Sequence, residues 1–267
     1  MRSSGSRKQS RFPRPTDLGH AAGVPTPEIR FDETLAPTYD ADTADRFAPE
    51  VLGPTVDLLA DLAGPGGRAL ELAIGTGRVG LALHERGVDV HGLELSPPMV
   101  EQLRAKPDGD AIPVTIGDMA TTRVEGGPFD LVYLVYNTIT NLLTQDEQVA
   151  CFANAAAHLR PGGCFLVECY VPVLPTPGQP GVLFDASTDH AGYDTFEGVD
   201  QRSWSHHWWE RDGGGAARFS APYRYVWPSE LDLMARLAGL RLRDRYANWK
   251  RGPFTAGSAM RIAVYEL

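Results

Sequence analysis

Short apolar blocks alternate with helical patterns through the first two thirds of the chain. The blocks predict strands at 68–74, 88–93, 112–116, 129–135 and 164–171. Helices are predicted between them at 77–86, 97–106 and 146–159, and an earlier helix at 45–63 ends at the Gly-Pro-Gly-Gly stretch 64–67. Strands that alternate with helices at this spacing form βαβ units, which predicts an α/β fold with a parallel, doubly wound sheet.

The pattern changes after residue 172. Residues 173–227 are rich in Pro, Gly, Trp and His, and the short alternating stretches 202–210 and 218–227 predict antiparallel strands of an insertion. A helix is predicted at 229–238, with Ser229 as its N-cap and Gly239 as its stop. Two last strands, Arg241–Tyr246 and Met260–Glu266, are expected to form a hairpin.

Residues 1–27 differ from the rest of the chain in composition. They hold Ser, Arg, Gly and Pro with almost no apolar periodicity, which predicts a disordered arm before one domain at 28–267. This arm contains five basic residues before the first acid, Asp17, whereas the whole chain has a net charge of −9. The domain itself is therefore strongly acidic, and we expect it not to bind nucleic acid.

Composition excludes some other classes of protein. With 43% apolar and 22% charged residues the chain is typical of globular proteins, and no apolar run reaches membrane-spanning length. The three cysteines have no metal-ligand spacing, and two of them, Cys164 and Cys169, lie in a predicted buried strand. We therefore expect reduced core thiols in a cytoplasmic protein, without a metal site and without disulfides.

A glycine-rich turn follows the first predicted strand. Residues 69–80 read Ala-Leu-Glu-Leu-Ala-Ile-Gly-Thr-Gly-Arg-Val-Gly, which predicts a strand, a tight turn and the start of a helix. Glycines are needed there because the turn requires positive φ and the backbone must approach a ligand closely. The free N–H groups of the new helix favour an anionic group on that ligand.

Two cofactors are compatible with this turn alone. Gly75-x-Gly77-x-x-Gly80 fits the dinucleotide fingerprint, and Glu94 lies near the ribose-binding position about 20 residues on. Three features favour a different cofactor. Glu71 interrupts a strand that is normally apolar in dinucleotide-binding proteins, Asp118 places a carboxylate at the rim of the same crevice, and the chain ends in a hairpin instead of another βαβ unit.

From about residue 39 to residue 267 the chain resembles the class I S-adenosylmethionine-dependent methyltransferases, especially bacterial (actinobacterial) enzymes that methylate small molecules. Five segments carry the resemblance in the family's order: 71–77, 90–94, 117–119, 129–137 and 159–163. Ala73 stands where a glycine is commoner. The resemblance implies a Rossmann-like, mostly parallel seven-stranded sheet with an antiparallel C-terminal hairpin, and residues 173–227 as a small antiparallel substrate lid.

The resemblance also implies the cofactor S-adenosylmethionine, with S-adenosylhomocysteine as product. The residues expected to bind it are Tyr39, Glu71, Ala73, Gly75, Thr76, Gly77, Arg78, Glu94, Leu95, Met99, Asp118, Met119 and Tyr136. Simpler roles stay open for four of them. Glu94 would otherwise be an exposed carboxylate, Asp118 a turn cap, Arg78 a locally paired helix residue and Tyr39 a ring packed on the core.

Methyl transfer from a sulfonium is an in-line displacement, for which orientation supplies roughly 7–11 kcal/mol. An unprotonated amine needs little more, whereas a hydroxyl needs a base, which contributes about 10²–10⁴-fold. The segment 204–209, Trp-Ser-His-His-Trp-Trp, places His206 and His207 on opposite faces of a strand. We expect one of them to line the pocket as base or orienting group. The alternative is an aromatic strand that builds a packed lid or a dimer surface.

Substrate contacts are expected from the end of the fourth strand, the insertion and the last loop. The predicted residues are Tyr136, Asn137, Tyr170, Trp204, Trp208, Trp249 and Arg251, with Asn137 also a catalytic candidate. Packing of the last loop is the simpler role for Trp249 and Arg251. Asn137-Thr138-Ile139 stands where the family's nucleic-acid and protein-amide methyltransferases have a Pro-Pro-aromatic step. The aromatic residues suggest a flat or cationic, moderately apolar acceptor.

The expected activity is methyl transfer to a nitrogen or oxygen of a small molecule in secondary metabolism, with nitrogen favoured. Two alternatives remain at this point. One is an NAD(P)-dependent oxidoreductase, which depends on the glycine pattern of residues 75–80. The other is a non-catalytic S-adenosylmethionine-binding accessory protein, which Ala73 and the lack of an obvious base allow. The chain is expected to be a monomer or a homodimer.

Overall fold

The computed structural model describes residues 31–267 apart from 177, 180, 188–189 and 211–215. The predicted arm at 1–27 lies outside these residues. The described chain divides into two compact units, a larger one made of residues 31–172 and 224–267 and a smaller one made of 173–223. Among the described helices, none is both long and apolar enough to span a membrane.

The larger unit contains a seven-stranded sheet. Its strands are β1 (Arg68–Leu72), β2 (Asp89–Glu94), β3 (Val114–Ile116), β4 (Phe129–Leu134), β5 (Leu159–Tyr170), β10 (Arg241–Tyr246) and β11 (Met260–Glu266). They lie in the order β10-β11-β5-β4-β1-β2-β3. Strands β1 to β5 are parallel, and β11 is antiparallel to both β5 and β10. The predicted mostly parallel sheet with its C-terminal hairpin is confirmed.

Helices cover both faces of this sheet. They are α1 (Tyr39–Asp42), α2 (Pro49–Ala63), α3 (Arg78–His84), α4 (Pro97–Arg104), α5 (Gln145–His158) and α6 (Pro228–Leu237). Short 3-10 helices lie at Ala44–Phe47, Gly109–Ala111 and Thr138–Asn141. One core joins α5 and α6 to one face through Phe152 and Met234, and the other joins α2 and α3 to the opposite face through Leu59 and Val79. The three cysteines are free and buried.

Several predicted boundaries differ from the structure, and three of these differences have a clear local cause. The helix predicted from residue 45 begins at Pro49, and α6 begins at Pro228 with Trp227 as its N-cap residue instead of Ser229. Both helices have proline in the first turn, where its missing N–H costs nothing. The predicted turn at 160–163 belongs to β5 instead, because the Gly162 N–H donates to the Leu267 carbonyl and the Leu267 N–H donates to the Gly163 carbonyl.

The smaller unit is a four-stranded sheet. Its strands, β6 (Gly181–Ala186), β7 (His190–Glu197), β8 (Arg202–Glu210) and β9 (Ala216–Arg224), lie in chain order, and β7 is antiparallel to both β6 and β8. The predicted strand at 202–210 is confirmed, and the one predicted at 218–227 ends at Arg224. Strands β6 and β7 were not predicted. Ala191, Tyr193 and Trp208 form the buried cluster of this sheet.

Candidate functional site

The glycine turn between β1 and α3 has the strained backbone that its sequence predicts. Gly75 and Gly77 have φ values of 58° and 81°, in the left-handed region. A Cβ atom on Gly77 would lie 2.9 Å from the Leu103 side chain, so a larger residue there would have to displace that side chain of α4. Ala73 also has a positive φ of 55°, although it is not glycine. The turn therefore holds its backbone in a conformation that costs an alanine energy.

Glu94 ties this turn to the end of β2. Its side chain accepts hydrogen bonds from the Gly75 N–H at 2.8 Å and the Ser96 N–H at 2.9 Å, one on each carboxylate oxygen. The residue is only 6% exposed, which excludes the simpler role of an ordinary surface carboxylate. Burial raises the pKa of Glu94 despite these bonds. An ionised carboxylate has about four acceptor sites, so Glu94 retains capacity for hydroxyl donors on a ligand.

Glu71 lies beneath the turn and contacts protein groups. It accepts a hydrogen bond from the Tyr133 hydroxyl at 3.0 Å. A Cβ atom on Gly80 would lie 2.9 Å from the Glu71 carboxylate, so the third glycine of the pattern serves the packing of α3 on β1. Burial raises the pKa of Glu71 to about 8. Direct contact of Glu71 with the cofactor stays a prediction.

Four predicted cofactor residues lie around the ends of β2 and β3. Asp118 accepts a hydrogen bond from the Ala120 N–H at 2.8 Å, so its carboxylate does form the local turn that was the simpler alternative. Met99 is buried, and its terminal methyl lies 3.4 Å from where a Cβ of Gly75 would stand. Leu95 is 45% exposed, directly after Glu94. An adenine-binding role for Asp118, Leu95 and the buried Met119 stays a prediction.

The N-terminal segment is fastened onto the glycine turn. The Thr76 hydroxyl donates to the Asp40 carboxylate at 2.6 Å, and the Lys106 ammonium lies 2.5 Å from the same carboxylate. Lys106 also donates to the Thr76 carbonyl at 2.7 Å. The adjacent Tyr39 is near Tyr136, and burial raises its pKa. Sequence reasoning missed Asp40 and Lys106, because nothing in their local patterns shows that they meet.

A second strained turn follows β4. Tyr136 and Asn137 have φ values of 59° and 58°, two successive non-glycine residues in the left-handed region. The Tyr136 N–H donates to the Glu168 carboxylate at 2.5 Å. The Asn137 side-chain oxygen accepts from the Tyr170 N–H at 3.1 Å, and the Cys169 sulfur lies 3.1 Å from it. The predicted catalytic Asn137 thus uses its amide oxygen to hold the turn against β5, and its catalytic role stays a prediction.

Several predicted substrate residues meet around this turn. The Trp249 indole N–H donates to the second oxygen of Glu168 at 3.0 Å. The guanidinium groups of Arg46 and Arg78 lie 5.2 and 5.6 Å from the centre of the Tyr136 ring. Arg46 also hydrogen-bonds the Tyr170 side chain. Burial raises the pKa of Glu168.

Two residues of this region were not predicted, and one predicted residue has another partner. Sequence reasoning missed Arg46 and Glu168, although Glu168 is the one acid in the apolar stretch 164–171 and its isolation there was a usable signal. The predicted substrate residue Arg251 forms an ion pair with Asp61 of α2. Its contact with a substrate stays a prediction.

The two candidate histidines lie on opposite faces of β8 in the smaller unit, as alternation predicts. His206 is 2.8 Å from the Ser220 hydroxyl and 3.1 Å from the Thr195 hydroxyl, on the face that carries Trp208. His207 lies 2.9 Å from His190. It also stacks on Trp209 with ring centres 5.2 Å apart.

Their surroundings set the charge of these imidazoles. Burial lowers the pKa of His206, and burial together with the neighbouring His190 lowers that of His207 to about 4, so both rings are neutral near pH 7. The predicted substrate residue Trp208 belongs to the buried cluster of the smaller unit. The predicted substrate residue Trp204 faces Thr195 across the strand pair. The catalytic and substrate roles of these four residues stay predictions.

Comparison with known proteins gives a consistent family. Residues 69–163 match the family described as Methyltransferase domain. The structure of the CcbJ methyltransferase from Streptomyces caelestis is similar with a TM-score of 0.76 and 33% identity, covering 86% of this chain and 95% of that chain. The cypemycin N-terminal methyltransferase of a Streptomyces species is 27% identical over 252 residues, covering 88% of this chain and 97% of the relative. SAM-bound CalS10, an amino pentose methyltransferase from Micromonospora echinaspora, shares the fold with a TM-score of 0.64 at 22% identity, covering 85% of this chain and 96% of that chain.

The observed site fits the cofactor of this family. Gly75 and Gly77 have no side chains that would keep a ligand from the backbone of the turn, and the buried Glu94 carboxylate at the end of β2 retains acceptor sites that could take the two ribose hydroxyls. The nicotinamide alternative for the glycine pattern is wrong, because the similarity to methyltransferases extends over nearly the whole chain. The chain belongs to the class I S-adenosylmethionine-dependent methyltransferases.

Proposed function

We propose that this protein transfers the methyl group of S-adenosylmethionine to an amine nitrogen of a small molecule in natural-product biosynthesis. The observation that carries the proposal is the similarity, over almost its full length, to an enzyme whose name specifies N-terminal methylation. A second relative, a dTDP-amino-sugar N,N-dimethyltransferase of Streptomyces venezuelae, is 30% identical over 141 residues, covering 49% of this chain and 58% of the relative. The acids of this chain outnumber its bases, which disfavours nucleic-acid acceptors.

The chemistry at the end of β4 also favours an amine. A hydroxyl acceptor needs a base, and Asn137, the predicted catalytic residue at this turn, cannot take up a proton. An amine that arrives unprotonated attacks with its own lone pair. The nitrogen–carbon bond forms, the carbon–sulfur bond breaks with its electron pair on sulfur, and the new ammonium releases its proton afterwards. For this reaction the protein mainly has to orient the reactants and exclude water.

In this proposal one strained turn binds the cofactor and the other binds the acceptor. The turn at 73–77 with Glu94, Asp118 and Tyr39 would hold the cofactor, which supplies an electrophilic methyl group on a positively charged sulfur. The turn at Tyr136 and Asn137, with Tyr170 and Trp249, would hold the acceptor. For the smaller unit, a role of His206 or His207 and of Trp204 and Trp208 toward the acceptor stays a sequence prediction. The buried free cysteines fit a reducing compartment such as the cytoplasm.

A transfer assay with matched acceptors tests the proposal. The full chain is incubated with S-adenosylmethionine labelled in its methyl group, and with dTDP-amino sugars, peptides with a free N-terminus and their hydroxyl analogues. We expect label on an amine, detected by mass spectrometry together with S-adenosylhomocysteine. Label on hydroxyl analogues alone, or no transfer to any acceptor while S-adenosylhomocysteine binds, contradicts N-methylation.

The histidine variants test the catalytic assignment separately. Under amine transfer, His206→Asn and His207→Asn should lower kcat by less than about 10-fold, and the pocket-lining one should raise the KM of the acceptor. A loss of about 10²–10⁴-fold in kcat would identify that histidine as a general base and favour an oxygen acceptor.

A further inference from the structure

Glu168 joins two parts of the chain that are distant in sequence. One carboxylate oxygen accepts from the Tyr136 backbone N–H at 2.5 Å, and the other accepts from the Trp249 indole N–H at 3.0 Å. The residue is 8% exposed, near the end of β5. A buried carboxylate is costly unless it is hydrogen-bonded, so both bonds are needed to keep it there.

The backbone at Tyr136 needs such support. Two successive non-glycine residues with positive φ cost on the order of 1–3 kcal/mol each, and they persist only where their surroundings hold them. Glu168 holds the first residue by its N–H, and the Asn137 side chain holds the second against the Tyr170 N–H. This turn follows β4 at the carboxyl ends of the parallel strands, where α/β proteins bind their ligands.

We infer that Glu168 is a positioning residue of the methyl-transfer site. It locks the backbone turn at Tyr136 and docks the Trp249 indole beside it, so that both form one rigid wall for the acceptor. This inference builds on the proposed function, because it assigns the acceptor to that wall. In this role Glu168 acts through Tyr136 and Trp249 and does not itself exchange a proton with the acceptor.

Substitutions can remove the hydrogen bonds of Glu168 to Tyr136 and to Trp249 one at a time. Glutamine has one acceptor oxygen and one NH₂ donor, so Glu168→Gln satisfies only one of the two facing N–H donors. Trp249→Phe removes the second donor and leaves one carboxylate oxygen without its partner. In the double variant the amide oxygen accepts from Tyr136, and the NH₂ group no longer faces an indole N–H. The second substitution should therefore compensate part of the first.

Steady-state kinetics on the full chain measure this coupling. With the amine acceptor identified by the transfer assay, each single variant should lower kcat/KM for the acceptor by about 10-fold or more, the scale of one unsatisfied buried hydrogen bond. The double variant should be no worse than the poorer single variant. The KM of S-adenosylmethionine should stay within about twofold. Glu101→Gln, at an exposed position of α4, and Trp227→Phe are matched controls without expected effect.

Hydrogen exchange tests the pair of hydrogen bonds from Glu168 to Tyr136 and Trp249, here called the Glu168 clamp, without any acceptor. The Tyr136 amide and the Trp249 indole N–H should both be protected in the native chain, and Glu168→Gln should expose one of them. The double variant should protect the Tyr136 amide again. If no amine is methylated but these changes in amide protection are found, the Glu168 clamp is supported and the proposed function is contradicted. Multiplicative losses in the double variant, unchanged protection in Glu168→Gln, or an equal loss of S-adenosylhomocysteine affinity would overturn the inference.

Discussion

The two sheets of this protein use polar residues in different ways. In the larger sheet the central strands are largely buried, and the acids Glu71, Glu94 and Glu168 lie towards their carboxyl ends. In the smaller sheet His206 and His207 lie within a strand and bond sideways to hydroxyls and to another imidazole. We therefore expect buried acids in the parallel strands to mark the binding site more reliably here than histidines in the antiparallel strands.

The largest expected effect is on cofactor affinity, and it should occur for a substitution in the larger sheet but not for one in the smaller sheet. Glu94→Ala should weaken S-adenosylhomocysteine binding by about 100-fold, because it removes the expected acceptor for the ribose and two charge-assisted bonds to the Gly75 and Ser96 N–H groups. Isothermal titration calorimetry measures the loss. His207→Ala is the counterpart in the smaller sheet and should leave cofactor affinity within about twofold. Equal losses in both variants would abolish the distinction between the sheets.

A smaller loss is expected at the end of β3. Asp118→Ala removes the predicted adenine contact and the observed bond to the Ala120 N–H, which should reduce S-adenosylhomocysteine affinity by about 10-fold. Asp118→Asn retains an oxygen that can accept from Ala120, so it separates the turn from the ligand contact. Full affinity in Asp118→Ala would assign this carboxylate to the turn alone.

The third prediction concerns pH and the buried Glu71. Its pKa is about 8 in the folded chain and about 4.5 when solvated, so between these values the native state binds more protons than the unfolded state. The free energy of unfolding should therefore fall as the pH rises from 5 to 8, by at most about 1.4 kcal/mol per pH unit from this group. Glu71→Gln should flatten that dependence in thermal melts. An unchanged slope would show that Glu71 is ionised throughout this range.

The smallest effect is expected within the glycine turn. Ala73→Gly removes the cost of a left-handed alanine, roughly 1–2 kcal/mol, and adds a glycine entropy cost of roughly 0.5–1 kcal/mol. The variant should be more stable by about 0.5–1 kcal/mol in urea unfolding. Ala60→Gly within α2 is the matched control and should be destabilising. A destabilised Ala73→Gly would mean that the methyl group packs usefully in the turn.

Sequence reasoning predicted the parts of the fold that local pattern determines. The hairpin Arg241–Tyr246 and Met260–Glu266 was predicted to the residue, and its second strand contains the continuous buried apolar run from Ile262 to Tyr265. Strands β6 and β7 were missed since Pro and Gly interrupt their neighbourhood and their alternation is weak.

In the candidate site, too, sequence reasoning found the residues that a local pattern reveals and missed those that only the fold brings together. Residues 73–77 were found because a turn with positive φ selects glycine in a recognisable spacing. The partners of Glu168 could not be found in that way. The carboxylate joins Tyr136, 32 residues away, to Trp249, 81 residues away, and only the folded sheet brings them together.

The buried cysteines are natural probes for the unfolding of the larger unit. Burial raises the pKa of all three thiols, and only the thiolate reacts with alkylating reagents. Cys151, Cys164 and Cys169 all lie in α5 or β5, whereas residues 173–223 contain no cysteine. The rate of iodoacetamide labelling therefore times the opening of the methyltransferase sheet alone, without an engineered probe and without a contribution from the inserted strands.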